Sequence, residues 1–242
     1  MSNIIRVKTF GPTLSGNSSF GCTFGVLYPP IVRVQYKTTS SGGGVNTMNV
    51  VFDDAPVNNN TLVMVIGIQS GSRSVTAINQ TGATWTKILH SEAPINGTRV
   101  EIWRAQNING AGVTADIDFN GFCLAVGTLI EYSGLVMIGN LVDVSSSEFE
   151  DNAGLSKGST GTTVLTSQDY ELFVGGIAAI ANITQSNPTN GFSKISDAAQ
   201  GIMSLYTYEK IVSSIQSAGT VVNFSPDGIY AGVIATFNKR MV

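Results

Sequence analysis

From Val34 to its C-terminus the chain is a succession of short β-type segments parted by Gly, Asn, Ser and Thr, with almost nothing that starts or stops a helix. Residues 75–78 lead through Gln80, Thr81 and Gly82 into an alternating stretch that ends at Ile88, and residues 230–237 have the same grain. This rhythm predicts an all-β fold: an antiparallel two-sheet sandwich, jelly-roll-like, spanning residues 32–242. A chain of 242 residues suits one large sandwich and buries a sizeable core without staples.

Strands are expected over residues 31–37, 47–52, 61–69, 75–79, 84–91, 98–105, 113–119, 123–132, 141–144, 170–181, 193–198, 201–212, 219–224 and 229–238. Asn96-Gly97 and Asn120-Gly121 both read as hairpin turns. Residues 148–151 read as part of an acidic, Ser/Gly-rich loop. The apolar run from Leu62 to Ile68 predicts a strand buried on both faces. Alternation puts Val100 and Ile102 on one face and Glu101 and Trp103 on the other. Ile229, Ala231, Val233, Ala235 and Phe237 form an uninterrupted apolar face, so the last strand is expected in the core. No internal repeat is legible.

Residues 1–31 differ from the rest. Ile4, Ile5, Phe10, Phe20, Phe24 and Tyr28 are spread among Gly and Ser, and the segment ends at Pro29-Pro30, which forbids a helix there. Such residues cannot build a domain alone and need a surface to dock on. The segment is expected to be an extended N-terminal arm that mediates docking and assembly, with a neighbouring subunit as its acceptor.

Composition narrows the functional classes. Only 12% of residues are charged, about half the usual share. A surface that poor in charge fits either one covered by neighbours or one simply rich in Thr, Ser and Asn. The net charge of −3 argues against a nucleic-acid partner, which would need a basic footprint. No apolar stretch approaches the length of about 18 residues that spans a bilayer, so no membrane insertion is expected. The N-terminus has no secretory pattern, which predicts synthesis in the cytoplasm. Cys22 and Cys123 do not make a disulfide framework, and Cys123, at the start of an apolar strand, is expected to be a buried thiol.

Catalytic chemistry finds little support. His90 is the single histidine, and triads and zinc sites need histidine with fixed partners. No nucleotide, metal or nucleophile motif accompanies it, so no catalysis, cofactor or metal is expected. Glu101, Glu131, Asp169, Glu171 and Glu209 are the strand carboxylates that a glycosidase would use, and outward-facing polar decoration explains them as well. Glu101 and Trp103, two residues apart, form the candidate glycan face; Trp85, Tyr206, Tyr208 and Tyr230 could line a sugar-binding face as well, but core filling accounts for most of these aromatics, and Trp85 is expected to be buried in the sandwich. Asp53-Asp54 and residues 148–151 hold clustered carboxylates without the spacing of a calcium loop, and read as solvated loops.

One ordered set of residues carries a resemblance: Gln80-Thr-Gly-Ala-Thr-Trp85, Arg99-Val-Glu-Ile-Trp103, Ile130-Glu-Tyr-Ser-Gly-Leu135, Asp169-Tyr-Glu-Leu172 and Tyr230-Ala-Gly-Val233. Over residues 32–238 the chain resembles a jelly-roll-like β-sandwich domain of phage and prophage virion proteins and some bacterial surface proteins. The resemblance implies a virion component, as capsid decoration, fibre, turret or tail-associated protein. Its expected partners are its own copies, other virion proteins and, in a receptor-binding fibre, a host-surface glycan. The alternative on the same fold is a carbohydrate-binding module or adhesin.

Overall fold

The computed structural model describes residues 29–69, 72–95 and 97–240. The proposed arm residues Ile4, Ile5, Phe10, Phe20, Phe24 and Tyr28, and Cys22, lie outside them. Thirteen strands and no helix occur among the described residues. The first seven are β1 (Val32–Ser40), β2 (Val45–Val51), β3 (Thr61–Gln69), β4 (Val75–Asn79), β5 (Trp85–Ala93), β6 (Thr98–Ala105) and β7 (Thr114–Ser133). They make one sheet in the order β1-β7-β3-β6-β5, with β2 and β4 also pairing β7. The remaining strands are β8 (Val142–Ser159), β9 (Tyr170–Ile180), β10 (Thr184–Ser186), β11 (Ser193–Gln200), β12 (Met203–Ser213) and β13 (Val221–Asn238). They make the second sheet in the order β10-β13-β9-β12-β11, with β8 also pairing β13. All pairings are antiparallel.

The two halves of the chain repeat one topology, which the sequence does not show. In each half a long bent strand, β7 or β13, changes partners along its length. The first part of β7 lies between β2 and β4, and its second part between β1 and β3. The first part of β13 lies between the end of β8 and β10, and its second part between the start of β8 and β9. Then β6 and β5 follow β3 outward as β12 and β11 follow β9. One strand, β8, thus does the work of β1 and β2 together.

This plan corrects one expected turn and one expected break between strands. Asn120-Gly121 does not reverse the chain; it lies inside the 20-residue β7. Residues 225–228 likewise lie inside the 18-residue β13, at a shift of register. Both strands bend where they exchange partners, and Gly, Asn and Pro tolerate a bulge as readily as a turn. The expected acidic loop at 148–151 is also strand, because β8 is held along β13 from Val142 to Ser159.

Three apolar layers result. Between the sheets lie Val63, Val65, Val100, Ile102, Val126 and Ile130 from the first and Leu172, Val174, Leu205, Val233 and Phe237 from the second. The outer face of the first sheet is covered by β2, β4 and the start of β7, which bury Leu62, Met64, Ile66 and Trp103. On the second sheet Ile183, Phe192, Val222 and Phe224 cover Phe173, Ile177, Tyr206 and Tyr208. Central strands β3 and β9 therefore carry apolar residues at successive positions. They also approach closely: a Cβ on Gly176 would stand 2.4 Å from Val65 Cγ1, a contact no side chain fits. The free edges are blunted, with register shifts at Arg33/Gln35 in β1, Lys87/Leu89 in β5 and Lys194/Ser196 in β11.

Candidate functional site

Alternation in β6 places Glu101 and Trp103 on one face as expected, but β4 covers that face. Glu101 has no exposed surface and Trp103 only 8%. The candidate glycan face is therefore an interior cluster, which corrects the expectation. Glu101 Oε1 accepts from Arg99 Nε at 2.6 Å and from the Val75 backbone N–H at 3.3 Å. Its Oε2 accepts from Trp103 Nε1 at 2.8 Å and pairs with Lys87 Nζ at 3.1 Å. Lys87 also lies 5.0 Å over the Trp103 ring, and Arg99 binds Glu92 at 2.7 Å. A carboxylate with four donors is compensated and held rigid. His90, opposite Glu101 on β5, has its pKa lowered first by burial and then by Arg99.

The other strand carboxylates separate in the same way. Glu131 on β7 is fully buried and accepts from Gln35 Nε2 at 2.7 Å, the Val57 N–H at 2.8 Å and Asn60 Nδ2 at 2.5 Å. Glu209 on β12 bridges the sheets, binding Arg33 at 2.7 Å and accepting from Tyr132 OH at 2.8 Å. Burial and Glu209 push the Tyr132 hydroxyl pKa far up, so it stays a donor. Each of these three carboxylates joins segments distant in sequence.

Glu171 on β9 differs. It is fully buried, yet neither carboxylate oxygen has a partner at hydrogen-bonding geometry. Burial pushes its pKa up to about 7, and nearby Asp143 pushes the same way, while Thr236 and the Gln168 backbone oppose them.

Of the sequence candidates for calcium, Asp53 pairs with Lys37 at 2.8 Å, and Glu150 accepts from Asn152. No group of three or more His, Cys, Asp and Glu side chains able to hold a metal ion occurs among the described residues. Cys123 is a buried free thiol, its pKa raised to about 11 by burial.

Depressions open to solvent lie on the surface of the described residues. One of about 360 Å³ lies between the edges β1 and β11, lined by Tyr36, Thr38, Lys194 and Asp197. Another, about 470 Å³, lies along β8 beside Glu148, Lys157 and Tyr230. Large apolar side chains are exposed as well. Residues 163–166 run against 216–218 through backbone bonds at Thr163 and Thr166, and there Val164 and Leu165 are 73% and 64% exposed, with Ile215 next to the same segment at 54%. The sequence reading missed these residues, because the Val164-Leu165 pair, flanked by Thr163 and Thr166, makes neither an apolar run nor a period.

Comparison with protein-family models, curated proteins and solved structures finds no match. The resemblance to virion proteins thus rests on the residues quoted for it.

Proposed function

We propose that the chain is a virion structural protein, in capsid decoration, a fibre or a tail, working through contacts with its own copies and with lattice neighbours. The observation that carries this reading is the exposed apolar surface at Val164, Leu165 and Ile215 on a chain with 12% charged residues. Apolar side chains in water cost about 1.5–3 kcal/mol each against full burial, and a neighbouring subunit would bury them. The saturated carboxylates Glu101, Glu131 and Glu209 act as joints of the sandwich, which suits a rigid building block. The carbohydrate-binding alternative loses Glu101 and Trp103, which are interior.

Sedimentation velocity of the full chain over a wide concentration range tests the reading. Oligomers that Leu165→Asp dissolves, with an unchanged circular dichroism spectrum, are expected. A wild-type chain that stays monomeric at high concentration would overturn it. Mass spectrometry of density-gradient-purified particles from producing cells tests the virion assignment; absence from particles would remove it.

A further inference from the structure

The duplicated topology supplies an internal control for Glu171. In the first half, the corner where β1, β3 and the end of β7 meet holds one buried carboxylate, Glu131, with three donors around it. The matching corner of the second half is where β8, β9 and the end of β13 meet. There unpartnered acceptor oxygens gather. Glu171 and Asn238 are cross-strand partners, so their side chains leave the sheet on the same face. Asn238 is 5% exposed; its Nδ2 donates to the Asn140 carbonyl at 3.0 Å, and its Oδ1 has no partner. Both Glu171 oxygens are likewise unpartnered. Asp143 is the near neighbour of Glu171, and its own oxygens accept from Ser167 N–H at 2.5 Å and Ser167 Oγ at 2.7 Å. Thr236 Oγ1 accepts from the Val144 N–H at 3.1 Å.

Buried oxygens without donors are costly, and two carboxylates side by side repel. In the first half Gln35, Val57 and Asn60 supply the compensating positive ends of dipoles; around Glu171 the Thr236 hydroxyl and the Gln168 backbone lie near enough to favour the carboxylate, but neither makes a hydrogen bond of full geometry. An all-oxygen set of two carboxylates and a carboxamide is what a hard divalent cation takes. We propose that Glu171, Asp143 and Asn238 hold a calcium ion that ties the start of β8 to the end of β13.

The test uses the full chain, freed of divalent ions with EDTA and dialysed at pH 8. Thermal unfolding is followed with and without about 10 mM calcium chloride, at matched ionic strength. With a dissociation constant near 1 mM, usual for extracellular modules, the midpoint should rise by about 3–5 °C. Glu171→Gln and Asp143→Asn should each lose that rise; two variants guard against one misfolding, and circular dichroism checks both. Isothermal titration with calcium chloride should show a heat of binding that both variants lack. A wild-type midpoint that calcium leaves unmoved overturns the proposal. So does an equal rise in both variants, which means non-specific binding. A midpoint that falls from pH 6 to pH 8 in EDTA and is not restored by calcium also overturns it, because the two carboxyls then share a proton instead.

Discussion

Glu101→Gln removes one charge and keeps the shape, and the donors around Glu101 make it far from conservative. Both carboxylate oxygens face donors only: Arg99 Nε and the Val75 N–H on one side, Trp103 Nε1 and Lys87 Nζ on the other. A glutamine has a single acceptor oxygen, so its NH₂ must meet donors in either orientation. The less costly orientation turns the NH₂ toward Lys87, whose side chain is 31% exposed and can swing into water. Trp103 Nε1, buried, then loses its acceptor at about 1–3 kcal/mol, and the bond to Arg99 loses its charge assistance at about 1 kcal/mol more. A loss of about 2–4 kcal/mol is expected from guanidinium unfolding, against under about 0.5 kcal/mol for exposed Glu148→Gln. Adding Trp103→Phe removes the orphaned donor, so the double variant should fall short of the sum of the two single losses. If Glu101→Gln unfolds within about 0.5 kcal/mol of wild type, the four-donor account is wrong and the cluster is open to water.

Three further outcomes follow from the same structure. The Glu171 pKa rises from 4.5 to about 7 on folding, so its contribution is fully present below pH 4.5 and is lost as pH climbs through about 7. In EDTA the wild type should lose on the order of 2–3 kcal/mol relative to Glu171→Gln between pH 5 and pH 8, read from unfolding midpoints. Gly232→Ala would set a Cβ 1.8 Å from the Ser159 carbonyl oxygen, so β8 and β13 must separate there; a loss of about 1–3 kcal/mol or more by denaturant unfolding is expected. Removing residues 229–242 takes Ala231, Val233, Ala235 and Phe237 from the inter-sheet core and should abolish the cooperative transition, whereas deleting residues 1–28 should leave a folded chain by circular dichroism.

Period-two alternation and apolar runs determined the strands, because they are local properties of the chain. The strand expected at residues 61–69 is β3 residue for residue, and that at 98–105 is β6. Val100 with Ile102, and Glu101 with Trp103, divide between two faces as alternation requires. Alternation says which side chains share a face, though, and not whether that face is wet. Glu101 alternates as an outward-facing polar side chain would, but β4 and the start of β7 cover it, and partners as far off as Val75 satisfy its charge. Trp85 shows the converse: expected in the core, it is only partly buried at the edge of the layer above the first sheet and donates to Gln80.

Turn signals are permissive in the same sense. Asn120-Gly121 and residues 225–228 allow the backbone to leave a straight path, and the strands on either side decide whether it reverses or bends. In β7 and β13 it bends, because each strand finds one pair of partners before the break and another after it. The repeat of the two halves is invisible in the residues for a related reason. Strand pairing is made by backbone groups that every residue carries, so one topology tolerates two unlike sequences. What the chain determined alone was where strands form and which residues they turn to one side. Which sides became interior, and which buried carboxylates found donors, depended on segments far apart in sequence that only the folded sandwich brings together.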